Sequence, residues 1–368
     1  MAKFISLSKN MKLTKKISKN SCIGIISTMF FFGLVDCNSI RDFKEIRMIM
    51  GTYVEIQIWS SQIEKAREII NEAFSAVEQV DRNMSHYRPD SIISELNRQS
   101  GSSYKIHDRD TFQVIKTATE ISKLSNGAFD ITIGPLMKLW FSNRNQNMLP
   151  DQEAILNTIQ SIGYKHYRLD NQSQTIFLDL QGLQFDLSAI AKGFAVDRAI
   201  EVLKKNQITR ALVNAGGDLY ALDPPPGKSA WNVGLRDPFD QNNIILEIPL
   251  VNSALATSGN YENFFEVDNK RYCHIIDPRT GYPVPEIASV TVKSDSAVMT
   301  DALATTFFVM GYPEGLKMAE SMTNTEIVMI ACENHKITAF VTDGFKTLKK
   351  LMKPLTISKE MKIAVCHD

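Results

Sequence analysis

The spacing of apolar residues predicts the first strand and the first helix of the chain. Apolar and polar residues alternate through Met50–Trp59, which is the period of a half-buried strand. From Ile63 onwards the apolar residues recur at intervals of three and four, as on one face of a helix, and this pattern continues to about Met84. A strand followed by an amphipathic helix is therefore expected here.

Similar patterns predict further strands and helices, but in no regular order. Asn126 and Gly127 close a helix that begins near Asp110, and Gly216 and Gly217 interrupt a strand. Other helices are expected near 90–98, 186–205, 301–311 and 313–322, and other strands near 175–180, 231–235, 244–250, 289–292, 327–331 and 337–341. Because strands and helices do not alternate, the pattern favours an α+β fold over a doubly wound sheet. We expect a single mixed α/β domain at 49–345 with an internal subdomain.

The composition is that of an ordinary globular protein without a strong net charge. The 368 residues are 44% hydrophobic and 22% charged, and 41 basic residues balance 41 acidic ones. Since nucleic-acid-binding proteins usually carry a basic surface, no nucleic-acid partner is expected. The cysteines are Cys22, Cys37, Cys273, Cys332 and Cys366, and their wide spacing indicates neither a disulfide framework nor a zinc site.

The first residues have the organisation of an export signal. Met1–Lys19 contains lysines and no acidic residue, and the uncharged apolar run Cys22–Val35 that follows is too short to span a membrane. The run ends at LVDC, which resembles a bacterial lipoprotein signal with Cys37 as the lipidated residue, although Asp36 replaces the small residue expected there. An ordinary signal peptide or an uncleaved anchor is the alternative, and a start at Met11 would shorten the leader.

These features predict the segments at the two ends of the chain and the cellular location of the protein. We expect a leader at 1–36, a short tether at 37–48 and a C-terminal tail at 346–368. The protein is expected to be exported and anchored by lipid to the inner membrane, facing the periplasm.

Two stretches combine helix-terminating and charged residues in a way that suits a binding site. In NGAFDITIGP, Gly127 permits a left-handed helix stop, and Phe129 and Asp130 precede an apolar, strand-like run. In FDLSAIAKGFAVDRA, Asp186 precedes a helix whose first turns contain Lys192, and the free N–H groups there could receive a phosphate. The simpler interpretations are a helix cap that leads into a turn, an Asp or Ser cap, and a solvated lysine.

Two other stretches suit the close approach of a ligand or a cation. Adjacent glycines in NAGGDLYA weaken a strand, so they indicate either close approach of a ligand to the backbone or a β-bulge. In SDSAVMTDALATTFFVMG, Asp301 and Thr305 stand one helical turn apart and could offer oxygen ligands to Mg²⁺. Alternatively, Thr305 bonds within its own helix and Asp301 favours the helix N-terminus.

Taken in order, these stretches resemble the ApbE family, the bacterial FAD:protein FMN transferases. The resemblance runs from about Met50 to Gly311 and is carried by MGTYVEI, MSHYRPDSIISELN, GAFDITIGPL, FDLSAIAKGFAVD, NAGGDLYA, ATSGNYENFF, HIIDPRTGYPV and TDALAT. It implies a catalytic domain with a core related to the T-fold. In this family FAD is cleaved at its pyrophosphate, FMN is joined by a phosphoester bond to a threonine of a target protein, and AMP leaves. The targets are typically exported flavoprotein subunits of membrane redox pumps.

The resemblance also implies which residues form the site. His274 would be the catalytic histidine. Mg²⁺ would be held by the main-chain oxygen of Ala189 and the side chains of Asp301 and Thr305. The FAD site would be lined by Met50, Tyr87, Ala128, Phe129, Asp130, Asp186, Lys192 and Ile276.

The chemistry of the implied reaction suits these residue types. Phosphoryl transfer needs charge neutralisation, which Mg²⁺ and Lys192 could supply, and a base for the hydroxyl proton. His274 is flanked by apolar residues and precedes the turn DPRTGYP, in which Asp277 and Arg279 could pair. A satisfied core histidine is the alternative interpretation. His86, within MSHYRP, is interpreted as a tolerated variant of that motif.

Two other functions stay open at this point. An FAD pyrophosphatase would deliver water in place of threonine and release FMN and AMP. A non-catalytic flavin-binding lipoprotein would not require His274, Asp301 and Thr305, all of which are present.

Overall fold

A computed structural model describes residues 40–346, except positions 100, 145–147, 241, 262–263, 268–269, 286 and 334–335. The expected leader with Cys37 lies outside the described residues, as does the expected tail from 347 onwards. The strands are β1 (Arg41–Ile49), β2 (Thr52–Ser60), β3 (Ser103–Lys105), β4 (Tyr167–Asp170), β5 (Thr175–Leu178), β6 (Arg210–Ala215), β7 (Asp218–Ala221), β8 (Trp231–Arg236), β9 (Ile244–Leu250), β10 (Ser253–Gly259), β11 (Phe264–Val267), β12 (Lys270–Cys273), β13 (Ile287–Ser294), β14 (Glu326–Glu333) and β15 (Lys336–Val341). The helices are α1 (Ile63–Met84), α2 (Ile92–Arg98), α3 (Arg109–Leu124), α4 (Gly134–Arg144), α5 (Gln152–Ile159), α6 (Ala191–Lys205), α7 (Ala297–Met310), α8 (Glu314–Ser321) and α9 (Asp343–Lys346).

An antiparallel sheet of eight strands forms the centre of the fold. Its strand order is β1-β2-β6-β7-β10-β13-β14-β15. Because side chains alternate across a strand, a central strand buries residues on both faces. In β14, Ile327 and Met329 pack into one core cluster while Val328 and Ile330 pack into another. This is why the central strands are nearly continuous apolar runs.

Helices cover one face of this sheet, and a hairpin covers the other. Helix α1 packs on β1 and β2, α6 packs on β6 and β7, and α7 packs on β10 and β13, with α6 in contact with both of its neighbours. On the opposite face β8 and β9 form a separate two-stranded sheet, and its Trp231 and Ile248 share a core cluster with Leu212 and Leu255. The predicted α+β fold is confirmed.

We keep the name internal subdomain for the residues between α1 and α6, although its helices α2 and α3 share the main core with α1 and α6. It contains α2 to α5 and a three-stranded sheet with the order β3-β5-β4. The side-chain amide of Asn97 donates to the carbonyl of Phe185 at 3.0 Å and accepts from the Phe185 amide at 2.6 Å, which fixes the segment that leads into α6. Trp140 of α4, Ile155 of α5 and Ile276 share a small core, so the turn after β12 packs on the subdomain as well.

The structure differs from the sequence-based expectation in two places, at strand β1 and at the loop that follows β6. The expected tether becomes strand β1 from Arg41 onwards, since Phe43 and Ile49 reach the main core and the strand pairs with β2 along its length. Gly216 and Gly217 neither interrupt one strand nor form a bulge. They are the two-residue loop of the β6–β7 hairpin, with φ values of 65° and 108° that glycine adopts without strain.

Other elements escaped the sequence patterns. The apolar run after Asp130 continues as helix α4 rather than as a strand, because Leu136 and Trp140, four residues apart, are the positions it buries. Strand β10 lies near the centre of the sheet, yet its sequence SALATSG lacks the large β-branched and aromatic residues typical of strands.

None of the helices in the described part of the chain combines the length and the apolar composition that a membrane-spanning segment needs.

Helices α6 and α7 cross at very close range. A Cβ atom at Gly193 would overlap the carbonyl oxygen of Ala297 and lie 2.7 Å from the Cβ of Asp301. One turn further along α6, Asp197 accepts hydrogen bonds from the main-chain amides of Ala297 and Val298 at 2.8 and 2.9 Å. Asp197 thereby satisfies amides at the N-terminus of α7 that have no partner within the helix.

Replacing Gly193 with alanine should force these helices apart. We expect Gly193→Ala to lower the free energy of unfolding by about 1–3 kcal/mol or more, as overpacking of a core does, measured from urea unfolding. Lys205→Ala is the control, because it places an alanine at an exposed position of the same helix. A Gly193 variant as stable as the parent would contradict the close crossing.

Candidate active site

Lys192 occupies a half-buried position between two acidic side chains. Its ammonium, in the first turn of α6, donates a hydrogen bond to Oδ2 of Asp218 and lies 3.3 Å from Oδ1 of Asp301. Asp218 is the first residue of β7 and Asp301 lies on α7, and both are 4% exposed. The main-chain amide of Gly193 donates to Oδ2 of Asp301 at 2.9 Å. Three motifs that are distant in the sequence therefore meet at the N-terminus of α6.

The two carboxylates keep Lys192 protonated. Burial by itself lowers the pKa of the Lys192 ammonium, but the charges and hydrogen bonds of Asp218 and Asp301 outweigh it and raise the pKa above its usual range. Lys192 is therefore a fixed positive charge rather than a base. Two carboxylates and one ammonium carry a net negative charge, which a further cation would neutralise.

Oxygen donors that suit a hard cation lie on the elements that meet at the α6–α7 crossing. Thr305 stands one turn from Asp301 on α7, and its hydroxyl lies 3.3 Å from the hydroxyl of Ser258 on β10. Ala189 lies in the loop that leads into α6. Within the described residues no three His, Cys, Asp or Glu side chains are grouped to hold a metal ion. A divalent cation here would therefore take hydroxyl, main-chain or substrate oxygens besides the carboxylate, a donor set that suits Mg²⁺.

A cleft of about 420 Å³ opens between α2, α4 and the segment that leads into α6. Tyr87 and Asp186, two of the predicted FAD-binding residues, line it, and Tyr87 is 78% exposed. Met137 and Phe141 of α4 provide an apolar wall, and Lys138 adds a positive charge. Apolar walls with a few charged groups are typical of sites for small-molecule ligands.

His86 gives Asp186 a partner that the sequence did not indicate. The Nδ1 atom of His86 lies 3.3 Å from Oδ1 of Asp186, and the His86 ring centroid lies 3.9 Å from that of Tyr87. The amide and hydroxyl of Ser188 donate to the same carboxylate oxygen at 2.8 and 2.5 Å. Burial raises the pKa of Asp186, but the hydrogen bonds and charge of His86 and the bonds from Ser188 outweigh it and lower the pKa. The cleft wall therefore carries an anion.

The turn after β12 is braced as expected. The Arg279 guanidinium pairs with both carboxylate oxygens of Asp277, at 2.9 and 2.8 Å, which confirms the predicted pair. Gly281 has a φ of 79°, and a Cβ there would lie 2.9 Å from the Cδ1 of Ile159. The indole N–H of Trp140 donates to the carbonyl of Gly281 at 2.8 Å. The turn is therefore held tightly on α4 and α5.

His274 lies immediately before this turn and is half-buried. Together with Ile276 and Arg144 it lines a small cavity of about 10 Å³. Met137 and Phe141 of α4 line both this cavity and the larger cleft. The space beside His274 and the cleft that holds Tyr87 and Asp186 therefore adjoin across these two side chains.

The side chains of the NGAFD loop belong to the protein interior. Ala128 and Phe129 are 1% and 2% exposed. Asp130 accepts hydrogen bonds from the main-chain amides of Thr132 and Tyr164 at 2.8 and 2.6 Å, and its burial raises the pKa although these bonds act in the opposite direction. None of the three is among the residues that line the cleft. Any contact with a ligand would therefore use main-chain atoms, which the motif alone could not reveal.

Met50 lies in the β1–β2 loop, at the same edge of the sheet as the β6–β7 loop. It has a φ of 54°, and the next residue, Gly51, has a φ of 70°. The Gly216 amide donates to the carbonyl of Tyr53 at 3.1 Å, so the two loops are neighbours. Met50 is thereby brought towards the hairpin that positions Asp218.

Sequence reasoning missed Asp218, Ser258 and His86. Asp218 follows the two glycines of NAGGD, and Ser258 lies in ATSGNY, so both stand in motifs that carry the family resemblance. The available signal was a carboxylate at the end of a tight two-glycine loop. Nothing in the local sequence indicates that Lys192 of a different motif lies opposite this loop.

The comparisons with known proteins all point to the same protein family. A model of the ApbE family matches residues 50–329. The FAD:protein FMN transferase of Treponema pallidum is 30% identical over 335 residues, which cover 85% of this chain and 92% of that protein. The ApbE protein of Thermotoga maritima has a similar structure, with a TM-score of 0.76 and 31% identity over 84% of this chain and 99% of that one. The flavin transferase ApbE from Vibrio cholerae gives a TM-score of 0.75 at 28% identity, over 84% of this chain and 100% of that one.

The fold and these similarities define an α+β enzyme of the transferase class, as the sequence motifs predicted. The chain belongs to the ApbE family, whose model covers most of its length.

The pairing of Asp186 should make stability depend on pH in the acid range. Because its pKa is lower in the folded state, the stabilisation is complete above the unfolded value of about 4 and is lost as the pH falls through the folded value. We expect the stability difference between the parent and Asp186→Asn to be largest at pH 5 and above and to shrink towards pH 3, measured by urea unfolding. Asp90→Asn, at an exposed position, controls for the loss of one carboxylate. A constant difference between pH 5 and pH 3 would show that the carboxylate charge is not what stabilises this segment.

Proposed function

We propose that this protein is an Mg²⁺-dependent FAD:protein FMN transferase. It would cleave FAD at the pyrophosphate, join FMN through a phosphoester bond to a threonine of a target protein, and release AMP. The relatives from Treponema pallidum and Escherichia coli carry the name FAD:protein FMN transferase. The observation that carries the proposal is the meeting of Lys192, Asp218 and Asp301 at the α6–α7 crossing. Because this cluster has a net negative charge, it would bind the divalent cation that neutralises a pyrophosphate.

The oxygen donors at the crossing support a site for Mg²⁺. Asp301 and Thr305 would contribute their side chains, and Ala189 would contribute its main-chain oxygen. When bound, the ion would neutralise charge on the pyrophosphate oxygens and on the leaving phosphate. Lys192 adds a permanent positive charge at the same place.

The cleft beside α4 supports a site for FAD. Its apolar wall suits a flat aromatic ring, and Tyr87 is exposed enough to stack on one. Asp186 is an ionised acceptor for a ring N–H. Ile276 lies on the far side of Met137 and Phe141, next to His274. Met50 and the NGAFD loop would complete the site with main-chain atoms and would shape its wall.

His274 would act as the base of the transfer step. The threonine oxygen of the target attacks the phosphorus of the FMN half, and its proton passes to the imidazole. The bond from that phosphorus to the bridging oxygen breaks, and AMP leaves with the electron pair. The Asp277–Arg279 pair braces the turn that follows His274. A rigid turn would help to keep the imidazole at the distance that proton transfer requires.

The leader and the reaction support a proposal for the location and the partner. We propose that the protein is exported and anchored by lipid at Cys37 to the inner membrane, so that the site faces the periplasm. The acceptor would then be an exported flavoprotein subunit of a redox pump. Co-expression with candidate exported subunits, followed by in-gel flavin fluorescence, would identify it.

Loss of His274 should remove transfer while leaving FAD binding intact. For His274→Ala we expect the flavinylation rate to fall by about 10²–10⁴-fold, the usual contribution of a general base, with the Kd for FAD nearly unchanged. His107→Ala, at an exposed position, is the control. Normal turnover by the His274→Ala variant would exclude His274 from the mechanism.

Product analysis separates transfer from hydrolysis. FAD and Mg²⁺ are incubated with the parent, with and without an acceptor protein, and AMP, FMN and covalent flavin are measured. Covalent flavin with stoichiometric AMP supports the proposal. Free FMN and AMP without covalent flavin would instead show a pyrophosphatase, and unchanged FAD would show a flavin-binding protein.

Loss of the Asp301 carboxylate should change the metal requirement specifically. We expect Asp301→Asn to raise the Mg²⁺ concentration for half-maximal flavinylation by roughly tenfold or more, because a charged ligand is replaced by a neutral one. Glu320→Gln on α8 removes an exposed carboxylate and is the control. An unchanged Mg²⁺ requirement would show that Asp301 does not bind the ion.

A further inference from the structure

Asp218 is a buried carboxylate outside the set of residues expected to contact FAD or Mg²⁺. Lys192 hydrogen-bonds its Oδ2 and lies 3.3 Å from Oδ1 of Asp301. The other oxygen of Asp301, Oδ2, accepts from the Gly193 amide at 2.9 Å. Oδ1 of Asp301 is therefore the oxygen for which the Lys192 ammonium and a divalent cation would compete.

The position of Asp218 is set by the backbone rather than by Lys192. Asp218 pairs with Ala215 across the β6–β7 hairpin. The Gly217 amide, one residue before it, donates to the side-chain oxygen of Asn214 at 2.9 Å. The hairpin therefore fixes the backbone of Asp218, whereas the long side chain of Lys192 can move between the two carboxylates.

We propose that Asp218 is a positioning residue that holds Lys192 away from Asp301 and so leaves one Asp301 oxygen open to the divalent cation. This inference rests on the proposed function. A lysine shared by two carboxylates can move fully to Asp218 when a cation arrives, and it stays paired throughout. Without Asp218, Lys192 would pair with Asp301 alone, and a cation would have to displace it and leave a half-buried ammonium unpaired.

A double-mutant cycle tests whether Asp218 acts through Lys192. The parent, Asp218→Asn, Lys192→Gln and the double variant are titrated with MgCl₂ by calorimetry, and the rise of Tm with MgCl₂ is measured in parallel. We expect Asp218→Asn to weaken Mg²⁺ binding by roughly tenfold in the parent background, as loss of a supporting residue does. In the Lys192→Gln background the same change should have less than about a threefold effect, because the competitor is absent.

Equal effects of Asp218→Asn in both backgrounds would overturn the inference, since Asp218 would then act through its own charge. If Asp218→Asn does not fold, the same cycle is run with Asp218→Glu, which keeps the charge but displaces it, and the same coupling to Lys192 is expected. If the parent transfers FMN but Asp218→Asn has equal effects in both backgrounds, only this inference is refuted. A parent that neither binds Mg²⁺ nor transfers FMN refutes the proposed function with it.

Discussion

The close crossing of α6 and α7 is the contact on which the candidate site depends. It exists because Gly193 has no side chain where the backbone of α7 passes, and because Asp197 satisfies the first amides of α7. A crossing at this range turns Asp301 towards the N-terminus of α6, where it meets the Gly193 amide and Lys192. The same helices hold the core against the sheet, so the stability of the domain and the geometry of the charged cluster are set by one contact.

The charged cluster is better explained by function than by stability. Taking charges out of water is unfavourable, and a buried ion pair often stabilises a fold no more than apolar residues of the same size. Here two buried carboxylates share one lysine, so the three side chains together carry a net negative charge. Such an arrangement is understandable where a cation is part of the working state. The pair of Asp186 with His86 is different, since both side chains line an open cleft.

The internal subdomain supplies the second half of the site. Helix α4 presents Met137 and Phe141 between the cleft and His274. Its Trp140 and the neighbouring α5 hold the turn that follows His274. The central sheet and its helices therefore position the charged cluster, whereas the subdomain and the turn position the cleft and the histidine. The segment from Asp186 to Lys192 joins the two parts.

The sequence by itself determined the features that depend on neighbours along the chain. Helix α1, the strand before it, the braced Asp277–Arg279 turn and the family were all predictable, because periodicity, turn composition and motif order are local properties. Helix α4 and strand β10 were not predictable, because the sequence of α4 resembles an apolar strand and the sequence of β10 has few strand-forming residues. The partners of Lys192 could not be found either, because Asp218 and Asp301 lie 26 and 109 residues away. Only the register of the sheet and the crossing of α6 with α7 bring these three charges together, and both are decided by packing across the whole domain.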